Sequence, residues 1–227
     1  MLDDKLTLQT KLTRGIERVF ALIDTAIRDE HSFDAGHSGS TLTLVFIVAN
    51  RVYCAWVGDS RASLVLEYDN ALVFDPISND HKPSLPDEKA RILSRGGNVH
   101  PSREPGEDLG GPDRVWHPHL TGKPGPGLMM SRSLGDFIAK EVGVISVPDI
   151  TKREIQANFR FIVIASDGLW EVLDEREVIL IVRDFLNSKN PRDAALALVS
   201  HAQNKWRSFS PNYIDDISVV VIFLTKK

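Results

Sequence analysis

The chain has one cysteine in 227 residues, Cys54. An internal disulfide is therefore excluded. Because Cys54 lies inside an apolar run, it reads as a small core residue, and a reducing compartment is favoured. Long hydrophobic runs are missing too: no stretch approaches the roughly 20 apolar residues that a membrane-spanning helix requires. The opening Met1-Leu2-Asp3-Asp4-Lys5 carries acids where a secretory leader would have an apolar centre. Nor is there a basic excess. The net charge of −4 gives no support to an extended nucleic-acid surface. Internal repeats, low-complexity tracts and a dividing linker are all absent, so one domain over residues 1–227 is expected. Together these absences point to a cytoplasmic or nuclear globular protein.

The hydrophobic pattern fills that frame. Leu12, Ile16, Val19, Phe20, Ile23 and Ile27 recur at steps of three and four, which predicts an amphipathic helix ending before the loop at 32–39. Residues 41–48 and 51–57 read as two strands joined by Ala49-Asn50, with a further meander over 62–67 and 72–74. A short helix over 85–94 should stop at Gly96-Gly97. Residues 96–127 show no periodicity, and a loop of that length in a compact domain is usually functional. His117-Pro118-His119 within it reads as exposed loop histidines, since no cysteine or helix supports a zinc site. Asp174 is placed to cap one helix and Asn190-Pro191 to open another. The final run, 217–224, is apolar on nearly every residue and is expected to be a central strand covered on both faces. Strands grouped between helix pairs, without strict alternation, predict an α+β fold.

Three apolar runs meet aspartates at their ends. Residues 52–57 lead into Gly58-Asp59-Ser60-Arg61, and residues 161–165 into Ser166-Asp167-Gly168, while Asp215-Asp216 opens onto the last strand. Carboxylates crowded at strand mouths repel one another unless a cation lies between them. Oxygen donors without obligatory Cys or His select hard divalent ions. A divalent-metal site is the first hypothesis.

The motifs carrying these acids occur as an ordered set. They are Ser38-Gly39-Ser40-Thr41, Trp56-Val57-Gly58-Asp59-Ser60-Arg61-Ala62, Asp80-His81-Lys82-Pro83 and Gly96-Gly97. Ser131-Arg132-Ser133-Leu134-Gly135-Asp136, Ser166-Asp167-Gly168-Leu169-Trp170-Glu171 and Asp215-Asp216-Ile217-Ser218 follow. In this order, the seven segments resemble the PP2C (PPM) family of metal-dependent protein serine/threonine phosphatases. The resemblance implies a central antiparallel β-sandwich flanked by helix pairs, and a Mg²⁺ or Mn²⁺ centre at one end. It places Asp167 and Asp215 on metal ions, with Asp59 and Glu171 as acids around a weaker third one. It matches 96–127 to a flap beside the active site. The implied activity is hydrolysis of phosphoserine and phosphothreonine on protein substrates by a metal-activated water, with no protein nucleophile. The resemblance does not place Asp136 on a metal, so it is expected to be structural, bonding neighbouring backbone, and Asp80-His81-Lys82-Pro83 is expected to shape a loop instead of performing chemistry.

One departure bears on activity. The family's early Asp-Gly-His-Gly motif, which supplies an aspartate bridging both metals, is not in this sequence, so the chain is expected to lack N-terminal strands of the fold. The alternative is accordingly a catalytically inactive, phosphatase-like module that binds a partner protein.

Overall fold

The computed structural model describes residues 8–104, 107–108, 110–118 and 125–224. The chain divides into two compact units, each drawn from separated stretches. The first comprises Met1–Leu42, Ala55–Asp59 and Asp80–Ile150; the second comprises Thr43–Cys54, Ser60–Asn79 and Thr151–Lys227. Along the sequence the elements are α1 (Leu8–Asp29), β1 (Gly39–Ser40), β2 (Leu42–Val48), β3 (Arg51–Val57), β4 (Arg61–Tyr68), β5 (Ala71–Pro76), α2 (Pro86–Ser94), β6 (Asn98–His100), β7 (Arg103–Glu104) and β8 (Glu107–Asp108). They continue with β9 (Arg114–His117), β10 (Gly125–Leu128), β11 (Leu134–Gly135), α3 (Phe137–Glu141), β12 (Asp149–Glu154), β13 (Phe159–Ala165), α4 (Asp167–Trp170), α5 (Glu175–Arg183), α6 (Pro191–Phe209) and β14 (Val219–Phe223).

In the first unit, α1 forms as its periodicity requires, but the stripe it buries is narrower than predicted. Ile16, Phe20 and Asp24 point inward, whereas Val19 and Ile23 remain 47% and 37% exposed. The physical reason is Asp24. Its carboxylate accepts the Gly135 N–H at 2.9 Å and the Ser146 hydroxyl at 3.1 Å, and it pairs with Lys140. A polar anchor thus sets the rotation of the helix. Residues 96–127 also differ from expectation: β6, β9 and β10 form a three-stranded antiparallel sheet in the order β10-β9-β6. Strands of three or four residues are too short to show a period, and the sheet is held instead by Val115, Val99 and Leu128 packing against Ile92, Ala139, Val142 and Val144. Residues 105, 106, 109 and 119–124 of that segment, His119 among them, lie outside the described residues. His117 pairs with Glu141 at 3.2 Å.

In the second unit, β14, β13, β4 and β5 form an antiparallel sheet in that order. The helices α4, α5 and α6 contribute Leu169, Val178, Val182, Ala194 and Leu198 to one core with Phe161, Val163 and Val65 of the sheet. Helix α5 begins with a capping box, in which Asp174 accepts from the Glu177 N–H and Glu177 accepts from the Asp174 N–H. Asn190 caps α6 by accepting the Asp193 N–H, with Pro191 in the first turn. A three-stranded sheet, β12-β3-β2, has most of its residues in this unit.

The expectation for residues 217–224 is corrected here. Among the described residues, β14 is an edge strand rather than a central one, and Val220 is 52% exposed. Alternation explains the difference. Val219, Val221 and Phe223 face the core, while Val220 on the other side stands in solvent. Cys54 is buried, as its apolar setting suggests, and burial pushes its thiol up to about 12. Native protein at pH 8 should therefore leave Cys54 unreacted with a thiol reagent, while unfolded protein should titrate one equivalent.

Candidate active site

The strands β13 and β14 pair in register up to Ala165↔Val219, and the two acidic segments leave from that shared end. Ser166 stitches them together. Its N–H donates to the Ser218 carbonyl at 3.0 Å, its hydroxyl donates to the Asp216 carbonyl at 2.9 Å, and it accepts the Ser218 N–H at 3.0 Å. Residue 168 must be glycine. A Cβ there would lie 2.4 Å from the Asp216 carbonyl oxygen, so any side chain would push the Asp167 turn away from the Asp215 segment. Gly168→Ala should cost about 1–3 kcal/mol in urea unfolding, in the range of overpacked sites.

Asp167 opens the short helix α4, and Glu171 follows one turn later, its N–H donating to the Asp167 carbonyl at 2.9 Å. Asp215 accepts the Tyr213 hydroxyl at 3.1 Å and the Asp216 N–H at 2.9 Å. The hydrogen bond to Asp215 and that carboxylate's charge push the Tyr213 phenol above its ordinary range. Slight burial and the charges of Asp167 and Glu171 add to this. Aromatic groups brace the turn from behind. Trp206 donates its indole N–H to the Gly168 carbonyl at 2.7 Å and stands edge-on to Tyr213, and Trp170 donates to the Ala165 carbonyl at 3.1 Å.

Asp59 belongs to the first unit and is only 2% exposed. Its carboxylate accepts Lys82 Nζ at 2.5 Å. Gly58 beside it has φ +95°, and a Cβ there would meet Thr41 Cγ2 at 2.3 Å. His81 grips Gly58 from both sides. The His81 N–H donates to the Gly58 carbonyl at 3.0 Å, and the Gly58 N–H donates to His81 Nδ1 at 3.1 Å. That second bond assigns the ring proton to Nε2, which faces Asp149 at 3.3 Å. His81 also stacks on Trp56, at 5.8 Å between ring centroids. Asp149 is held below the usual carboxylate range by its bond to His81, which together with Arg132 overcomes the opposing effect of burial. Arg132 bridges Asp149 to Glu88. The Asp80-His81-Lys82-Pro83 motif thus does more than shape a loop, because it holds the Gly58-Asp59 turn in place.

Asp136 is buried, and its N–H donates to the Ser38 carbonyl at 2.8 Å. It sits in the left-handed region at φ 51°, makes no side-chain cap bond to α3, and packs its carboxyl against Gly39. Burial raises its pKa, opposed by Ser133 and Lys140.

The donor set of Asp167, Asp215 and Glu171 suits a hard divalent cation in kind. It does not complete a site: among the described residues, no group of three His, Cys, Asp or Glu side chains is placed to hold an ion. Sequence reasoning missed Tyr213, and it named Ser166 and Gly168 only as neighbours of Asp167 with no role of their own.

Comparison with known proteins identifies the setting. The family model for protein phosphatase 2C matches residues 2–208. The chain belongs to the protein phosphatase 2C family. It is 39% identical over 206 residues to "Probable protein phosphatase 2C 73" of Arabidopsis thaliana, covering 90% of this chain and 52% of that protein. It is 37% identical to "Probable protein phosphatase 2C 12" of Oryza sativa subsp. japonica, covering 90% and 51%. The chain thus spans about half the length of these curated relatives. Among solved structures, a serine-threonine phosphatase 2C from Toxoplasma gondii superposes with a TM-score of 0.80 at 21% identity, over 98% of this chain and 72% of that one. A C. elegans sex determining protein gives 0.71 at 20% identity, over 98% and 48%. The fold is that of the protein phosphatase 2C structures, a family that is generally metal-dependent. No described helix is long and apolar enough to cross a membrane.

Proposed function

We propose that this chain carries part of a protein serine/threonine phosphatase centre that hydrolyses phosphoserine and phosphothreonine on protein substrates with Mg²⁺ or Mn²⁺. The supporting observation is that the segments carrying Asp167 and Asp215 leave the joined end of β13 and β14 side by side, stitched together by Ser166. Asp167 and Asp215 would contribute carboxylate oxygens to the ions, with further ligands needed to complete their coordination. When bound, such ions supply charge neutralisation and water activation for phosphoryl transfer. The protein's own groups set the geometry. Ser166 and Gly168 hold the two acidic turns together, and Tyr213 fixes the rotamer of Asp215 by donating to it. The absence of an exposed thiol fits a reaction without a cysteine nucleophile.

The second reading, an inactive module that binds a partner protein, draws on two observations. The described residues offer no three-ligand group, and the Asp59 carboxylate is already taken by Lys82. Phosphothreonine-peptide hydrolysis with added Mn²⁺ separates the readings. Chelator-sensitive turnover above that of an Asp167→Ala control supports the phosphatase. Turnover equal to that control favours the binding module.

A further inference from the structure

Helix α6 ends on Phe209, which is 72% exposed, and Tyr213 in the following turn is 55% exposed. Both stand beside Trp206. Phe209 is its neighbour three residues along the helix surface, about 5–6 Å away between Cβ atoms. Tyr213 meets it edge-on, with 5.7 Å between ring centroids. Trp206 is seated on the core and donates to the carbonyl of Gly168, next to Asp167, while the Tyr213 hydroxyl donates to Asp215. Two solvent-exposed aromatic rings therefore adjoin both acidic turns. All of these residues belong to the second unit.

The connection that carries these rings is ordered. The Ser210 N–H donates to the Trp206 carbonyl at 2.8 Å and the Tyr213 N–H to the Ser210 carbonyl at 3.1 Å, with Pro211 restricting the backbone between them. Rings held in this way give up little freedom on binding, since each has only two side-chain torsions. The nearby cations of α6 already have partners: Lys205 donates to Glu177 at 2.6 Å and Arg207 to Asn204 at 3.1 Å. What Phe209 and Tyr213 offer is apolar stacking surface.

We propose that Phe209 and Tyr213 are specificity-determining residues of the phosphatase site, a platform for an aromatic or aliphatic substrate side chain one to three residues from the phosphorylated one. The proposal rests on the phosphatase reading for the group bound at Asp167 and Asp215. A peptide whose phosphoryl group lies at those acids must carry its neighbouring residues over the adjoining surface. Three residues of extended chain span roughly 10 Å, enough to run from Asp215 past Tyr213 and Trp206 towards Phe209. An apolar side chain there covers two rings that otherwise stand in water, whereas serine leaves them wet.

Fluorescence anisotropy of the whole chain with Mn²⁺ tests this, using labelled peptides in which a non-hydrolysable phosphonate replaces phosphothreonine. The flanking positions carry either phenylalanine or serine. The phenylalanine peptides should bind at least ~5-fold more tightly than the serine peptides, as a few buried apolar carbons require. In Phe209→Ser the preference should fall below ~2-fold, and circular dichroism should match the parent because the ring is exposed. Tyr213→Phe keeps its ring and should keep the preference, which separates stacking from the bond to Asp215. The proposal is overturned if the two peptides bind equally, if the preference survives Phe209→Ser, or if neither peptide binds at about 1 mM. A concentration-dependent dimer in ultracentrifugation that Phe209→Ser abolishes overturns it as well. Hydrolysis of the serine-flanked phosphothreonine peptide, measured against Asp167→Ala, reports on the phosphatase reading separately. Turnover no greater than that control, with the phenylalanine preference present, would count against that reading and for the platform. Clear turnover with equal peptide binding would do the reverse.

Discussion

Asp167→Asn should lower phosphopeptide turnover by at least ~100-fold in the presence of Mn²⁺, with the fold intact, in line with the loss of a group that stabilises transition-state charge. The side chain is partly exposed at the first position of α4, and asparagine keeps its size while removing its charge. Asp215→Asn should have a similar effect. Combining the two should cost little more than either alone, because residues that act as one unit are not additive. Tyr213→Phe removes only the donor to Asp215 and should cost less. Initial rates on a phosphothreonine peptide, with thermal melts as the folding control, decide the matter. Unchanged turnover in Asp167→Asn would remove this carboxylate from the chemistry.

Glu88→Ala should destabilise the chain by about 3–5 kcal/mol, as expected when one partner of a buried charge network is removed. Glu88 is only 4% exposed in the first turn of α2. It accepts from Arg91 at 2.9 and 2.7 Å, from Arg132 at 2.7 Å and from the Ser131 hydroxyl. Burial opposes its charge, but these bonds more than offset that and hold the carboxyl at about 2, against 4.5 in the absence of structure. The sign follows from proton binding. The folded state keeps Glu88 ionised where the unfolded chain would protonate it, so its stabilisation is complete above about pH 4.5 and is lost as pH falls towards 2. That window carries about 3 kcal/mol. Urea unfolding at pH 6 and pH 3 should show the drop, and Glu88→Gln should flatten it. An equal slope in Glu88→Gln would assign the acid sensitivity to other carboxylates. The consequence extends beyond α2, because Arg132 also binds Asp149, which faces the ring of His81 that grips the Gly58-Asp59 turn.

The amphipathic period of α1, the Asp174 capping box, the Asn190-Pro191 helix start and the β4–β5 hairpin were legible because each depends on neighbours within a few residues. So was the Ser166-Asp167-Gly168 turn, where a strand's apolar run stops at an acid. The short sheet of β6, β9 and β10 was not legible, since three-residue strands carry no period and are held by Val115 against α2 and α3. The exposed face of β14 was hidden for a related reason. An apolar run shows what could be covered, and only the pairing shows which side is.

By itself, the order of residues determined the helices and their caps, the family, and the acids at the strand ends. The tertiary structure alone decided that Lys82 takes the carboxylate of Asp59, that Lys140 pairs with Asp24, and that Arg132 joins Glu88 to Asp149. Those choices join groups far apart along the chain. Local propensity falls off within a turn or two, whereas a buried charge accepts whichever partner the packing brings within about 3 Å.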